Sequence, residues 1–274
     1  MNESIYAKKP LRYIRVDQVE IPCFSASDDY VENYEKISAD HVGHMELTGE
    51  NPFIDEKFWI ASEESTIDLI NKYIKQGDKL LDVGVGLGRL LENYPQYDRY
   101  GIDISTSYLS ISKRRGIDVC YSKIEDMPYK DCQFDIVVCT DVLEHVFNLY
   151  DACQKIISTV KKGGVLIVRV PYKEDLSNYL NPEYPYEYVH LRNFDEYSLQ
   201  MLFEKIHKLE MLEIVKAPYL MPFLVPKLNI PVTGWRWLVR NMVIFTQIFG
   251  EKTYRRIIQK MFLPYEINIV LRKV

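Results

Sequence analysis

The sequence predicts an α/β fold in which helices cover both faces of a largely parallel sheet. Two observations lead to this prediction. Short apolar segments without polar alternation, typical of strands buried on both faces, are separated by segments with helical spacing. The first such segment ends at Asp82, and Gly84, Gly86 and Gly88 follow before apolar residues resume. This order indicates a strand, a tight turn and the start of a helix.

The predicted elements alternate along the chain. Strands are expected near 79–83, 99–103, 117–121, 134–140 and 164–170, then at 210–216 and 266–272. Helices are expected over 58–75 and near 88–94, 105–115, 148–161 and 195–208. Residues 1–56 are polar, and Asp28, Asp29 and Pro52 interrupt them, so we predict an irregular extension there.

The glycine turn is suited to a polar, nucleotide-like ligand. Glycine lacks a Cβ and tolerates positive φ, so its backbone packs closely against a ligand, and the next helix offers unpaired N–H groups. A dinucleotide-binding turn would place its third glycine at position 89, which is arginine. The third glycine is instead Gly88, and this spacing disfavours an NAD-dependent oxidoreductase.

Further motifs follow the turn in a fixed order. Asp103, 21 residues after Asp82, ends the second predicted strand, where a carboxylate accepts hydrogen bonds from both ribose hydroxyls. The later motifs are Ile124-Glu125-Asp126-Met127-Pro128, Phe134-Asp135, Leu143-Glu144-His145 and Lys162-Gly163-Gly164. Together they resemble class I S-adenosylmethionine (SAM) dependent methyltransferases, most closely the ubiquinone-biosynthesis-like small-molecule branch.

The resemblance implies a Rossmann-like sheet of seven mostly parallel strands, with the last strand antiparallel between the fifth and sixth. It implies SAM as the cofactor. The expected organisation is an N-terminal extension and partial lid (1–56), the SAM-binding core (57–217), a helical insertion (218–262) and the final core strand (263–274).

The resemblance also assigns cofactor contacts. The turn under the methionine and ribose is Asp82, Gly84, Gly86 and Gly88; Asp103 holds the ribose, Ile104 packs on adenine, Ile124 and Glu125 flank its edge, and Thr140 lies near the sulfonium. Many relatives carry Asp immediately before the position of Ile124, where this chain has Lys123. We therefore expect Glu125 or Asp126, with the backbone N–H of residue 124, to contact the adenine edge.

By the same resemblance, the acceptor lies beyond the fourth and fifth strands. His145 follows the fourth strand, and His190 lies in a tyrosine-rich stretch after the fifth. Histidine is suited to act as a base near neutral pH, and we expect His190 to do so, with His145 as the second candidate. The alternative for each is a hydrogen-bonded structural histidine. Tyr186 and Tyr188 are expected to shape the acceptor pocket, or to be exposed loop residues.

A metal site is a competing hypothesis for the same region. Asp141, Glu144 and His145 are spaced i, i+3, i+4, so on a helical turn they would share one face. Some ubiquinone-type O-methyltransferases hold a metal in a similar acid-x-x-Glu-His cluster. The alternative is an ordinary loop after the fourth strand, and the sequence assigns no metal ligand.

Composition restricts the partners and the compartment. The net charge of −5 gives no indication of nucleic-acid binding. Five cysteines without a C-x-x-C motif, two of them (Cys120 and Cys139) in predicted core strands, favour a reducing cytoplasm. The first residues show no signal-peptide pattern, and the chain contains no run of 18 apolar residues.

The segment 218–262 differs from the rest of the chain. It carries seven basic residues and one acidic residue, a net charge of +6, and two of the three tryptophans, Trp235 and Trp237. Its spacing predicts amphipathic helices, which either form a lid packed on the core or contact an anionic membrane or a lipid-linked substrate. The second alternative would place a cytoplasmic protein at the inner face of the membrane.

These features predict a SAM-dependent methyltransferase acting on a small molecule, by O-methylation of a sugar or of a surface-glycan or lipid-linked precursor. One alternative is a quinone- or phenol-type O-methyltransferase, with or without a metal. A different class is a SAM-binding partner protein without catalysis.

Overall fold

The computed structural model describes residues 5–218, 225–226 and 262–274. Its strands are β1 (Arg12–Val16), β2 (Val19–Cys23), β3 (Lys79–Val83), β4 (Asp98–Asp103), β5 (Asp118–Tyr121), β6 (Phe134–Thr140), β7 (Val160–Pro171), β8 (Glu210–Ala217), β9 (Val225–Pro226), β10 (Phe262–Leu263) and β11 (Glu266–Arg272). Its α-helices are α1 (Asp29–Thr48), α2 (Glu56–Tyr73), α3 (Arg89–Glu92), α4 (Thr106–Arg114), α5 (Leu149–Thr159) and α6 (Glu196–Gln200). A 3₁₀ turn covers Leu176–Leu180, and a π-helical turn (Met201–Ile206) continues α6.

The central sheet confirms the predicted fold class. Its strand order is β1-β2-β5-β4-β3-β6-β7-β11-β8. The five strands from β3 to β7 are parallel to one another. The last strand, β11, lies antiparallel between β7 and β8, as predicted. The two strands β1 and β2 are additional, so the sheet has nine strands and the seven predicted ones form its centre and one edge.

Hydrophobic clusters lie on both faces of this sheet. Leu81 and Val83 of β3 belong to one cluster, whereas Leu80 belongs to the other. Successive side chains of a strand point to opposite faces, so a strand covered on both sides needs apolar residues at consecutive positions. This explains why the strands read as unbroken apolar segments.

The prediction of an irregular N-terminal extension was wrong. The hairpin β1–β2 joins the sheet through a parallel pairing of Cys23 with Tyr121, and the 20-residue helix α1 follows. The Asp28-Asp29 pair marks the start of this helix: the carboxylate of Asp28 accepts a hydrogen bond from the N–H of Val31 at 3.0 Å. Aspartate is a favoured N-cap residue, so the polar interruption in the sequence was a helix boundary.

Most of the segment 218–262 lies outside the described residues, including the predicted amphipathic helices and both of their tryptophans. Near its two ends, the short strands β9 and β10 pair antiparallel. Among the helices of the described ranges, none has the length and apolarity needed to cross a membrane.

Candidate active site

A cavity of about 740 Å³ lies where β3, β4, β6 and β7 end. Open α/β sheets bind their ligands at the carboxyl ends of the parallel strands. We call one side of it the cofactor half, formed by Asp82, 84–87, 102–105 and 122–126. The other side is the acceptor half, formed by Tyr34, 141–142, 144–147, Arg169, Glu174, Tyr179, Tyr184, Tyr186, Val189, His190, Tyr265 and Glu266. Thr140 lies in the wall at the end of β6, before the acceptor half begins.

The glycine turn has two kinds of constraint. Gly84 and Gly86 have φ of 79° and 51°, a region that L-residues with a side chain seldom adopt. A Cβ on Gly84 would lie 2.3 Å from Cγ2 of Val142, so the turn packs directly against the acceptor half. A Cβ on Gly86 would meet nothing within 4 Å, so this backbone is open to a ligand.

Asp103 connects the end of β4 to the glycine turn. Its Oδ2 accepts a hydrogen bond from the N–H of Gly86 and its Oδ1 one from the N–H of Ser105, both at 2.9 Å. Burial raises the pKa of this carboxyl to about 6, although the backbone hydrogen bonds act in the opposite direction. The carboxylate is therefore ionised at neutral pH and retains acceptor capacity toward the cavity.

Asp82 is fully buried at the end of β3, with 2% of its surface exposed. Among the described residues, its Oδ1 has no hydrogen-bond partner. Burial raises its pKa well above the usual value, against the opposing effect of Arg169. A buried carboxylate oxygen in a cavity wall is suited to a cationic ligand group, because a positive charge offsets the desolvation of the anion.

The departure at Lys123 has a structural explanation. Its Nζ lies 2.6 Å from Oδ2 of Asp28 at the start of α1. The lysine ammonium thus forms an ion pair with the N-terminal segment. Ile124, Glu125 and Asp126 line the cavity beside it.

The acceptor half brings the two predicted histidines together. The rings of His145 and His190 meet edge to face, with centroids 4.6 Å apart. Nδ1 of His145 is hydrogen-bonded to the Tyr34 hydroxyl and lies 3.1 Å from the carbonyl oxygen of Val189. Nδ1 of His190 is paired with the carboxylate of Glu174.

The two histidines differ as candidate bases. Burial, reinforced by the neighbouring His190, lowers the pKa of His145 to about 3. An imidazole with this pKa stays neutral near pH 7 and accepts protons poorly, which favours His190 of the two.

The Asp141 side chain does not join Glu144 and His145. Asp141 has φ of 55°, so the three residues do not form a helical turn. Its carboxylate lies 2.5 Å from Nη2 of Arg169, a 4%-exposed side chain that also pairs with Glu266. Ligand atoms of Glu144, His145 and His190 instead lie within 4.8 Å of one another.

Helix α1 contacts both halves of the cavity. Its Asn33 bonds the 187–188 backbone three times: Nδ2 donates to the Tyr188 carbonyl at 2.7 Å, and Oδ1 accepts from the N–H groups of Glu187 and Tyr188. Next to the cofactor half, Ser38 accepts a hydrogen bond from the Ser105 hydroxyl at 2.7 Å. Sequence reasoning missed this role, because no local pattern links residues about 150 positions apart.

Most predicted site residues line the cavity, with two exceptions. Tyr186 is part of the wall, whereas the Tyr188 ring packs on Phe147, with centroids 5.3 Å apart, outside the described lining. This corrects the expectation that Tyr188 shapes the pocket. Gly88 is also absent from the described lining, since it packs against Ile117 and Ser112 at the start of α3.

Residues 81–168, which include the glycine turn, Asp103 and His145, match the family described as the methyltransferase domain. The chain carries a class I SAM-dependent methyltransferase domain. A ubiquinone biosynthesis O-methyltransferase of Glaesserella parasuis is 31% identical over 105 residues, covering 34% of this chain and 44% of that protein. An uncharacterized protein of Methanocaldococcus jannaschii is 34% identical over 107 residues, covering 39% and 51%. The chain thus spans about half the length of the curated relatives it matches.

Solved structures support the fold of the methyltransferase domain over a longer range. A structure titled as a SAM-dependent methyltransferase, possible histamine N-methyltransferase, from Thermotoga maritima superposes with a TM-score of 0.58. The two sequences are 19% identical, and the alignment covers 89% of this chain and 99% of the other. At this identity the likeness shows the fold alone.

The cofactor of the methyltransferase domain is SAM, and the cofactor half fits it. The open backbone at Gly86 leaves space for the cofactor. The Asp82 oxygen without a partner suits the positive charge of the methionine moiety, and Asp103 is an acceptor suited to ribose hydroxyls.

Proposed function

We propose that this protein transfers a methyl group from SAM to a small-molecule acceptor. The observation that carries the proposal is that one cavity is lined both by the cofactor half and by the histidines of the acceptor half. A methyl acceptor has to approach the sulfonium methyl in line with the bond that breaks, and a shared cavity permits this approach.

The reaction places simple demands on the protein. SAM supplies the methyl carbon and a good leaving group, so an acceptor oxygen forms the new C–O bond as the C–S bond breaks and its electron pair returns to sulfur. The chain holds the two reactants and excludes water. The acceptor hydroxyl also loses a proton, and Nε2 of His190 is the candidate to receive it, because Glu174 engages Nδ1 of the same ring.

The acceptor we propose is a sugar hydroxyl, in a free sugar or in a surface-glycan or lipid-linked precursor. Tyrosine rings at 179, 184 and 186 line the acceptor half, and they offer both apolar faces and hydroxyl groups to a polyol. The basic segment 218–262 motivates an anionic or lipid-linked carrier. A location in the cytoplasm, with peripheral contact at the inner face of the membrane, is part of the same proposal.

A quinone- or phenol-type O-methyltransferase is the second candidate. Its support is the similarity to ubiquinone biosynthesis O-methyltransferases over about a third of the chain. The same tyrosine rings also suit a flat aromatic acceptor. The two candidate functions are distinguished by whether a sugar or a phenolic acceptor is methylated.

The deciding experiment measures SAM binding and turnover in one preparation. Calorimetric titration should show SAM binding and no NAD binding. Asp103→Ala should weaken SAM binding about 100-fold, because hydrogen bonds to a charged acceptor contribute roughly 1.5–3 kcal/mol. Asp98→Ala, which removes an exposed acid from the same strand, is the matched control.

Release of S-adenosylhomocysteine is then measured with sugar, lipid-linked and phenolic acceptors. SAM binding without release of S-adenosylhomocysteine with any acceptor would favour the non-catalytic partner protein.

Replacing Arg255 and Arg256 by glutamate tests whether the acceptor is attached to an anionic or lipid-linked carrier. Unchanged selectivity between anionic and neutral acceptors would remove the lipid-linked precursor from the proposal.

A further inference from the structure

We propose that His41 of α1 is a further cofactor-binding residue, whose Nε2 donates a hydrogen bond to a ribose hydroxyl oxygen of SAM. His41 lies outside the family match at 81–168, and it lines the same cavity as Asp103. The proposal concerns how this chain holds its cofactor, so it does not depend on the identity of the acceptor.

The His41 side chain is buried with one ring nitrogen unused. Its exposed fraction is 6%, and its Nε2 has no hydrogen-bond partner within the part of the chain that the structure describes. A buried polar atom without a partner is costly, and native proteins pair nearly all such groups. Because the ring lines the cavity, a bound molecule can supply the missing partner.

The other ring nitrogen determines the tautomer. Nδ1 of His41 lies 2.6 Å from the hydroxyl oxygen of Tyr108. Burial raises the pKa of the Tyr108 hydroxyl, which keeps its proton, and burial lowers the pKa of His41 to about 4, so the imidazole is neutral. We assign the Tyr108 O–H as the donor to Nδ1, because an imidazole nitrogen is a stronger acceptor than a phenol oxygen. Nε2 then carries the ring proton and is a donor.

Contacts between α1 and α4 place this donor beside Asp103. Tyr108 lies in the first turn of α4, and the N-cap of that helix, Ser105, donates its N–H to Asp103. One face of α1 is fixed to the same turn, since Ser38 accepts from the Ser105 hydroxyl and Glu35 accepts from the first N–H of α4 at 2.8 Å. A ribose hydroxyl both donates and accepts, so it can engage a carboxylate and an N–H donor together.

Neighbouring rings hold the imidazole in a fixed orientation. The His41 ring packs against Phe53 and Trp59, with centroids 5.4 and 5.7 Å away, and meets Tyr108 edge to face at 5.7 Å. A group held in this way loses little freedom when it binds a ligand, which favours a hydrogen bond of defined direction. His44, one turn further along α1, is exposed and does not belong to the described lining, so it provides a matched control.

Calorimetric titration with S-adenosylhomocysteine tests the contact. In His41→Asn, the amide can still pair with Tyr108 but no donor remains at the position of Nε2. The Kd should therefore rise about 3- to 10-fold, the effect of losing one neutral hydrogen bond. His41→Gln, whose longer side chain brings its amide near the position of Nε2, should retain most of the affinity of the parent. His44→Asn should leave the Kd unchanged.

The 2′-deoxy and 3′-deoxy analogues of S-adenosylhomocysteine test whether the contact is to the ribose. With the analogue that lacks the bonded hydroxyl, the parent and His41→Asn should have equal Kd values. An equal loss with S-adenosylhomocysteine and with both analogues would overturn the proposal, because a purely structural histidine, or one bonded to the methionine carboxylate, gives that result.

Equal affinity of His41→Asn and the parent for S-adenosylhomocysteine itself would also overturn the proposal. If His41→Asn fails to fold, His41→Phe replaces it, since this variant keeps a ring beside Phe53 and Trp59 and lacks Nε2. Absence of S-adenosylhomocysteine binding in the parent would instead reject SAM as the cofactor, so the two failures give different results.

Discussion

The two halves of the cavity are built in different ways. In the cofactor half, backbone N–H groups from residues close in sequence hold Asp103, as the bonds from Gly86 and Ser105 show. In the acceptor half, side chains hold the histidines: Tyr34 reaches His145 from 111 positions away, and Glu174 pairs with His190 from 16 positions away. A short motif can therefore encode the backbone contacts of the first half, whereas the second also depends on a side chain from the N-terminal helix.

This difference predicts where substitutions act. A change in the cofactor half should alter SAM binding or the fold itself, because the same backbone serves both. A change in the acceptor half should alter turnover and leave SAM binding intact.

The largest effect is expected at the glycine turn. Gly84→Ala places a methyl group 2.3 Å from Val142 in a left-handed backbone, and overpacking and strain should together lower the free energy of unfolding by about 3 kcal/mol. Gly86→Ala adds a methyl group in open space, so only the backbone strain of about 1 kcal/mol remains.

Chemical denaturation and SAM titration of both variants test this contrast. Gly86→Ala should nevertheless lose SAM affinity, because its methyl group occupies the cofactor's space. Equal losses of stability in the two variants would contradict the assignment of Gly84 to packing and Gly86 to the cofactor.

In the acceptor half, Glu174→Gln should reduce S-adenosylhomocysteine formation by about 10- to 100-fold, because the His190 imidazole loses the carboxylate that fixes its orientation and tautomer. The Kd for SAM should not change. Glu183→Gln, an exposed acid in the same region, serves as the control. A parallel loss of SAM affinity in Glu174→Gln would show that the two halves are not separable.

The pH dependence of SAM binding should arise from the Asp103 carboxyl of the cofactor half. Burial raises the pKa of Asp103 to about 6, so the carboxylate becomes protonated as the pH falls through this value and loses its charge as an acceptor. Below about pH 6 the Kd for SAM should rise by up to about tenfold per pH unit. Calorimetry from pH 5 to 8 should show this rise in wild type and not in Asp103→Asn.

The smallest effect is expected from Lys36→Ala. Nζ of this exposed lysine lies 3.0 Å from the Pro185 carbonyl and 5.5 Å from the Tyr186 ring centroid. Exposed contacts of this kind contribute up to about 1 kcal/mol, so KM for the acceptor should rise no more than about fivefold. A change in SAM affinity instead would assign Lys36 to the cofactor half.

The same contrast accounts for what the sequence revealed. The predicted 79–83 and 134–140 strands agree with the structure, because consecutive apolar residues with β-branched members determine buried strands locally. The resemblance carried by the glycine turn and the later motifs assigned Asp82 and Asp103 to the cofactor site, and both residues line the cavity.

Long-range partners were not predictable in this way. Asp141 has the spacing of a metal ligand, yet Arg169, 28 residues later, engages it. Asn33 carried no motif, since its role arises only when α1 packs against the segment after β7. Glu174 carried none either, since it meets His190 only through the fold of that segment. The N-terminal helix was missed because only one of its buried residues, Val31, is apolar, and Ser38 and His41 give no apolar periodicity.

Helix α1 also has a consequence for exchanging parts between related enzymes. Graft boundaries drawn around the family match at 81–168 would leave behind Asn33, Tyr34 and Ser38, which hold both sides of the cavity. To transfer acceptor specificity to another enzyme, residues 29–48 and residues 173–195 would therefore have to be transferred together. Directed evolution that randomises only residues 173–195 would leave unchanged the α1 side chains that contact them.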